Sequence, residues 1–235
     1  MHQIEVCLTP ELIHQFDLKG KIVVVVDIFR ATSCMVAGMA TDVKAIYPVA
    51  ELEECLALGK QGKIMAGERG GIKVADFDIG NSPFDYMSDQ VKGKEIAVTT
   101  TNGTQAIVKS IGADEILIGA FLNLSALKNY ISKSGKDIII HCAGWQGKVN
   151  LEDTLFAGAL INVLKESHIS EGDTALVALC VYKQNKNDLI KAAKASSHAI
   201  RLSGFGVEKD LEYCMQESLF DVVPIYLNDK ILNVS

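Results

Sequence analysis

The fold class that the sequence predicts is α/β, in the form of a three-layer α/β/α sandwich with a mostly parallel central sheet. Short apolar runs of strand length recur along the 235-residue chain, and segments with helical spacing of apolar residues lie between them. Strands that alternate with helices indicate βαβ crossovers, which place helices on both faces of a parallel sheet. The composition, 49% hydrophobic and 22% charged with only four prolines, is that of a globular protein and excludes a disordered or fibrous chain.

The first predicted strand covers residues 22–26, where an unbroken run of β-branched residues suits a strand buried on both faces. Similar apolar runs predict strands at residues 45–49, 64–66, 96–99, 115–118, 138–141 and 222–225. Helical spacing predicts helices over residues 32–40, 50–59, 103–110, 125–132, 152–166 and 187–197. Because neither a Pro/Ser-rich linker nor a repeat divides the chain, we expect one domain over residues 1–235.

The charge balance limits the partners of the protein. With 23 basic and 29 acidic residues and a net charge of −6, the chain lacks the basic face that nucleic-acid binding usually needs, although a local basic pocket for a small anion is compatible with it. Its apolar runs are much shorter than the ~20 residues of a membrane span. Six scattered cysteines without a C-x-x-C pair fit a reducing compartment. We therefore expect a cytoplasmic protein with a small-molecule substrate and no nucleic-acid or membrane partner.

The first segment that can carry chemistry is VVVVDIFRATS, in which Asp27 ends a buried strand and Arg30 follows. Ligands of parallel α/β sheets bind outside the carboxyl ends of the strands. A carboxylate there can bind a metal or attack an electrophile, and a guanidinium can grip a phosphate or sulfonate. The alternative is an Asp27–Arg30 ion pair that only organises the loop.

The second segment is MAGERGGIKVADFDIGNSP, which contains Glu68 and Asn81. Glu68 can complete a metal site, and Asn81 can hydrogen-bond a substrate oxyanion. The alternative is a long glycine-rich surface loop, but a loop of roughly twenty residues is unusual in a compact domain unless it has a function.

The third segment, AVTTTNGTQA, joins a predicted strand to a predicted helix. Glycine permits close approach of the backbone to a ligand, and a helix N-terminus offers free N–H groups beside the threonine hydroxyls. This pattern predicts a cradle for phosphate or sulfonate, although a threonine-rich helix cap is the alternative. The residues concerned are Thr100, Thr101, Asn102, Gly103 and Thr104.

The fourth segment is IIIHCAGWQGKVNLED. Its Cys142 and Lys148 follow the His-Cys-x5-Arg loop of cysteine phosphatases except that Lys replaces the phosphate-clamping Arg, so a buried inert thiol is the preferred interpretation. Glu152 and Asp153 fit the acidic preference of a helix N-terminus, and either can also serve as a direct or indirect Mg²⁺ ligand.

Two features outside these segments have structural interpretations. His198 and Arg201 stand three residues apart, on one face if this segment is helical, and we interpret them as helix capping or surface pairing. The apolar stretch 155–164 is either core or an interface between copies of the chain, which leaves a homo-oligomer open.

Together, the segments VVVVDIFRATS, AGERGG, FDIGNSP, TTTNGTQA, CAG and NLEDTLFAGA resemble the 2-phosphosulfolactate phosphatase (ComB) family. The motifs occur in the family's order over residues 23–160, and the similarity continues more loosely to the C-terminal Val-Val-Pro. The resemblance implies a three-layer α/β sandwich. It also implies a Mg²⁺-dependent enzyme that hydrolyses 2-phospho-3-sulfolactate to sulfolactate and phosphate in coenzyme M biosynthesis.

The chemistry of the residues suggests roles that agree with the resemblance. Asp27, Arg30 and Glu68 are the expected catalytic residues, and Asp27, Glu68 and Asp153 the expected metal ligands. Arg30, Asn81 and the turn at residues 100–104 are expected to bind the substrate. Three alternatives stay open: a phosphatase for another small phosphorylated acid, a cysteine-dependent phosphatase built on Cys142, and a non-catalytic binder of small anionic acids.

Overall fold

The computed structural model describes residues 1–234 and confirms the predicted class, with helices around one mostly parallel sheet of eleven strands. The strands are β1 (His2–Cys7), β2 (Ile22–Val26), β3 (Ala45–Pro48), β4 (Ile64–Arg69), β5 (Ile72–Lys73), β6 (Glu95–Thr99), β7 (Glu115–Gly119), β8 (Ile138–Cys142), β9 (His168–Ser170), β10 (Pro224–Leu227) and β11 (Lys230–Asn233). The α-helices are α1 (Ala31–Ala40), α2 (Leu52–Gly59), α3 (Pro83–Tyr86), α4 (Gly103–Lys109), α5 (Leu124–Ser134), α6 (Leu151–Leu164), α7 (Gly172–Asn185), α8 (Leu189–Lys194), α9 (Ser197–Ser203) and α10 (Glu208–Cys214).

The sheet consists of two parallel parts joined by a hairpin from the end of the chain. Its strand order is β5-β4-β6-β3-β11-β10-β7-β2-β8-β1-β9. Antiparallel strands β10 and β11 lie between the two parts: Ile231 of β11 pairs with Ile46 of β3, and Ile225 of β10 pairs with Leu117 of β7. Residues near the C-terminus therefore complete the middle of the sheet.

Strand β2 carries the first candidate segment through the interior of the larger parallel part, between β7 and β8. All five residues of β2 are buried, as expected for a β-branched strand covered on both faces. Val26 pairs with Gly119 of β7 and with Cys142 of β8. The carboxyl ends of these three strands are therefore level, and the loops that follow them open on the same edge of the sheet.

Helix α6 belongs to the core, which resolves the alternative left open for residues 155–164. Its Leu155, Leu160 and Leu164 are buried within the chain. Helix α7, which the apolar spacing did not reveal, packs against it so closely that a Cβ at Gly158 would collide with the carbonyl oxygen of Ala178. The glycine permits this close contact between the two helices.

The six cysteines are free thiols, and all except Cys180 are buried. Within residues 1–234, no helix has the length and apolar character that crossing a membrane requires.

Candidate active site

A narrow cleft lies beyond the carboxyl end of β2. Loops after β2, β6 and β8, the β4–β5 turn and helix α9 all contribute to its wall. Six of its lining residues are ones that the sequence singled out as catalytic or binding residues. The full lining is Asp27, Phe29, Arg30, Glu68, Gly71, Asn81, Thr101, Asn102, Trp145, His198, Arg201 and Leu202.

A wider groove lies beside α5, and its acidic side chain at position 115 is engaged in hydrogen bonds. Its Glu115 is already bound, because Oε2 accepts a hydrogen bond from the Tyr130 hydroxyl at 2.6 Å and Oε1 accepts one from Lys136 at 2.9 Å. The cleft beyond β2, where acidic and basic side chains converge, is therefore the candidate active site.

Asp27 is the central carboxylate of the cleft. The turn behind it is held by two short-range bonds, since the Asp27 amide donates to Thr32 Oγ1 at 2.9 Å and the Thr32 amide donates to the Asp27 carbonyl at 3.0 Å. Among residues 1–234, its carboxylate accepts a single hydrogen bond, a long one of 3.4 Å from the Ala31 amide. Burial, opposed by His198 and reinforced by Glu68, raises the pKa of Asp27 from 3.8 to about 6. A weakly satisfied carboxylate of this kind can accept a cation or a proton.

Arg30 brings a buried positive charge into the same cleft. Among the ion pairs of residues 1–234, Arg30 pairs with Asp210 of α10 and not with Asp27. The other Asp210 oxygen accepts a hydrogen bond from the Ser82 hydroxyl at 3.0 Å. The proposed structural Asp27–Arg30 pair is therefore absent from the described part of the chain, and Asp210 fixes the guanidinium instead.

Glu68 links two of the loops that surround the cleft. Its Oε1 accepts the Thr101 amide at 2.7 Å, and its Oε2 accepts the Gly71 amide at 2.6 Å. The parallel pairing of Gly67 with Thr99 brings β4 and the turn after β6 together for this contact. Glu68 thus faces the cleft, and it also holds the Thr101 amide that sequence reasoning assigned to an anion cradle.

The turn at residues 100–104 is partly a cap and partly a wall of the cleft. Thr101 and Asn102 line the cleft. Thr100 and Thr104 bond each other, because the Thr104 amide donates to Thr100 Oγ1 at 3.2 Å and Thr104 Oγ1 donates to the Thr100 carbonyl at 3.1 Å. Gly103 is needed for a close approach to Asp27, since a Cβ there would lie 2.8 Å from Asp27 Oδ2.

Asp153 is buried behind the cleft and is not one of its lining residues. Its Oδ1 accepts the Ile28 amide at 2.9 Å and its Oδ2 accepts the Gly144 amide at 3.1 Å, which ties the loops after β2 and β8 together. Burial first, and then the nearby Glu152 and Asp27, raise the pKa of Asp153 well above its ordinary value. In this structure Asp153 supports the loops that present Asp27.

Cys142 lies at the buried end of β8 and does not line the cleft. Burial, followed by the negative charge of Asp153, raises the pKa of the Cys142 thiol well above its ordinary value. Because the thiolate is the nucleophilic form of cysteine, this environment disfavours a cysteine-dependent mechanism. The result agrees with the interpretation of Cys142 as an inert core thiol.

Helix α9 supplies cleft residues that sequence reasoning interpreted as surface features. The guanidinium of Arg201 lies over the Trp145 ring, 4.7 Å from its centroid, and donates to the Gly70 carbonyl at 2.9 Å. Its buried Nε has no hydrogen-bond partner within residues 1–234. The three-residue spacing of His198 and Arg201 was the available signal, but only the fold shows that this helix face closes the cleft.

His198 contacts the fully buried Glu152 of α6. The distance between His198 Nδ1 and Glu152 Oε1 is 2.6 Å, and Asn150 Nδ2 lies 3.2 Å from the same nitrogen. The other carboxylate oxygen of Glu152 has no hydrogen-bond partner in residues 1–234. The sequence suggested Glu152 as a metal ligand. In the structure, Glu152 instead pairs with His198 of the cleft.

Asn81 offers an oxygen ligand to the cleft, because its buried Oδ1 has no hydrogen-bond partner among residues 1–234. Over the same residues, no three His, Cys, Asp or Glu side chains are grouped so as to hold a metal ion on their own. A cation here therefore needs further ligands from an amide, water or substrate.

Comparisons with known proteins identify the family. A profile described as 2-phosphosulpholactate phosphatase matches residues 7–229, a range that contains every residue of the cleft. The chain belongs to the 2-phosphosulfolactate phosphatase family. It is therefore a phosphatase, that is, a phosphoric monoester hydrolase.

Individual relatives cover almost the whole chain. A protein of Caldanaerobacter subterraneus subsp. tengcongensis named "Probable 2-phosphosulfolactate phosphatase" is 41% identical over 217 residues, which are 90% of each chain. Proteins with the same name from Thermotoga petrophila and Clostridium botulinum are 42% identical over 205 residues and 35% identical over 238 residues. The Clostridium alignment covers 99% of this chain and 100% of the relative. These relatives confirm the family resemblance that the ordered motifs carry.

Proposed function

We propose that this phosphatase hydrolyses 2-phospho-3-sulfolactate to 3-sulfolactate and phosphate with the help of Mg²⁺. The observation that carries the proposal is that one small cleft, in a member of this family, combines the guanidinium groups of Arg30 and Arg201 with the carboxylates of Asp27 and Glu68. A substrate with phosphate, sulfonate and carboxylate groups needs several cationic contacts. A cleft that only bound anions would gain nothing from two acidic groups.

The two arginines of the cleft are held in different ways. Arg30 is buried and fixed by Asp210, so its position is set before the substrate arrives. Arg201 rests on Trp145, and its Nε is free to donate. We assign Arg30 to the phosphoryl group and Arg201 to the sulfonate, because Arg30 follows the same strand end as Asp27.

The oxygen groups of the cleft fit a magnesium ion. Mg²⁺ usually keeps several waters and binds one or two carboxylates together with substrate phosphate oxygens, so a site without three grouped acidic ligands is compatible with it. Asp27 and the unpartnered Oδ1 of Asn81 would hold the ion, with Glu68 beside them. When bound, the ion would neutralise charge on the phosphoryl oxygens. Asp153, which the sequence suggests as a third ligand, would contribute by holding the loop of Asp27.

The protein's own groups would position the phosphoryl group and exclude bulk water. Arg30 would orient its oxygens, and Asp27 would act as a cation ligand or as the base for the attacking water. Phe29 and Leu202 contribute apolar surface to the wall. Positioning and electrostatic stabilisation supply most of the catalysis in phosphoryl transfer.

The pathway and location belong to the same proposal. In a host that makes coenzyme M, the reaction would be a step of its biosynthesis, in the cytoplasm. In another host, the same cleft would serve another small phosphorylated acid, which is the second candidate function.

The sulfonate assignment gives a sharp test. Phosphate release from 2-phospho-3-sulfolactate is compared with release from 2-phospholactate, which lacks the sulfonate, by wild-type protein and by Arg201→Met. We expect the wild type to prefer the sulfonated substrate and Arg201→Met to lose most of that preference. Equal activity of the wild type on both substrates would contradict sulfonate recognition, and saturable binding without release would indicate a binder.

A further inference from the structure

His198 of the cleft forms a carboxylate–imidazole pair with the buried Glu152 behind it, and the family name gives this pair no role. Glu152 is 0% exposed, and its contact with His198 Nδ1 is short, at 2.6 Å. Burying two groups that can carry charge costs desolvation energy, which is recovered only when every polar atom of the pair has a hydrogen-bond partner. Here one Glu152 oxygen has no hydrogen-bond partner in residues 1–234, so stability alone does not explain the pair.

The geometry of the pair fixes which ring nitrogen can act. Nδ1 contacts both Glu152 and Asn150, and the Phe29 ring lies against the imidazole edge, with centroids 6.4 Å apart. His198 nevertheless lines the cleft together with Asp27 and Arg30. A carboxylate that accepts a hydrogen bond from Nδ1–H orients the ring and stabilises its doubly protonated form, in which Nε2–H is the group left to donate a proton.

We propose that His198 is the general acid that protonates the leaving oxygen of the phosphate ester, and that Glu152 is the positioning residue that orients it. The inference rests on the proposed phosphatase reaction and assigns a group that this reaction needs. The alcohol of a hydroxy acid is a poor leaving group as an alkoxide, so a proton delivered to the bridging oxygen lowers the barrier.

The oxygen of a water molecule forms a new bond to phosphorus while the bond between phosphorus and the ester oxygen breaks. The electron pair of the broken bond stays on the ester oxygen, which takes the proton from Nε2 of His198 and leaves as the hydroxyl of the product. The attacking water gives up one proton, to Asp27 or directly to solvent, and the imidazole of His198 regains its proton from solvent after the step. The net change is ester plus water to alcohol plus phosphate.

The kinetic test uses His198→Asn, Glu152→Gln and the double variant, with 2-phospho-3-sulfolactate as substrate. His198→Asn should lower kcat by about 10²- to 10³-fold and change KM little, since the lost proton transfer acts in the transition state. Glu152→Gln should have a smaller effect, and the double variant should be no slower than His198→Asn, because Glu152 acts only through His198.

His168→Asn is the matched control, because His168 is also buried but lies on β9, away from the cleft. It should keep the wild-type kcat per folded molecule, with folding checked by circular dichroism for every variant. The proposal is overturned if His198→Asn keeps most of its kcat, or if the effects of the two single variants multiply in the double variant.

A second measurement is independent of turnover. In protein labelled with ¹⁵N-histidine, the Nε2 resonance of His198, assigned with His198→Asn, should move when inorganic phosphate is added, and Glu152→Gln should move the Nδ1 resonance. An Nε2 resonance that does not respond to phosphate overturns the inference. Absence of phosphate release by the wild-type protein, with a responsive resonance, instead overturns only the proposed substrate.

Discussion

Gly103 offers a direct test of how closely the cleft is built around Asp27. A Cβ at position 103 would lie 2.6 Å from the Cβ of Ala31 and 2.8 Å from Asp27 Oδ2. Carbon atoms pack at about 3.5–4.0 Å, so Gly103→Ala requires a displacement of about 1 Å. Overpacking of this kind costs about 1–3 kcal/mol.

The expected signature is a large loss of activity with a small loss of stability. A displacement of about 1 Å at a catalytic group costs roughly 10²-fold in rate, so kcat/KM for phosphate release should fall by about that factor. The free energy of unfolding, measured by urea titration, should fall by only about 1–3 kcal/mol.

The control for this prediction is Gly204→Ala, at the end of α9. A Cβ there would meet its nearest atom, the Arg201 carbonyl oxygen, at an ordinary 3.7 Å, and the backbone is already right-handed with φ −65°. This variant should resemble the wild type. Wild-type activity in Gly103→Ala would refute the close packing of the turn against Asp27.

Three further predictions concern charges and the thiol. Asp210→Asn removes the partner of the buried Arg30. Because an unpaired buried charge is costly, we expect this variant to lower the free energy of unfolding by about 3 kcal/mol and to raise KM. Unchanged KM and stability would show that Asp210 does not hold Arg30. Burial raises the pKa of Asp27 to about 6, so the folded state binds more protons than the unfolded state, and in EDTA the stability contributed by this group should fall as the pH rises from about 4 to about 6. Asp27→Asn should remove that pH dependence and abolish activity. At about 1.4 kcal/mol per pKa unit, it should also stabilise the protein at pH 7 by at most about 3 kcal/mol. An unaltered pH dependence of the urea midpoint would contradict the raised pKa. Cys142→Ser should keep kcat in a phosphate-release assay, because the thiol is buried outside the cleft, whereas complete loss of kcat in folded protein would restore the cysteine mechanism.

The local pattern of apolar runs predicted the central strands and the residues that follow them. Asp27 and Glu68 were predictable because polar side chains at the ends of β-branched or apolar runs lie at the carboxyl edge of a parallel sheet. Strand β2 was predicted with the bounds that the structure has. These features depend only on residues that are close together in the sequence, so a single amino-acid sequence is enough to predict them.

Contacts between distant parts of the chain were not predictable in this way. The partner of Arg30 stands 180 residues away, and no local pattern marks Asp210 as its counterion. The hairpin of β10 and β11 lies in the middle of the sheet although the chain reaches it last. His198 and Arg201 were assigned to the surface because only the packing of α9 on the Gly70–Gly71 turn brings them to the cleft.

The central claim is that this cleft performs cation-assisted hydrolysis of a phosphorylated sulfonate. The most direct measurement is the initial rate of phosphate release from 2-phospho-3-sulfolactate by the wild-type protein with excess Mg²⁺, in EDTA, and after Mg²⁺ is restored. We predict turnover with Mg²⁺, its loss in EDTA and its recovery on restoration. Equal turnover with Mg²⁺ and in EDTA would contradict the cation at Asp27, and no turnover by folded protein in any condition would contradict the substrate.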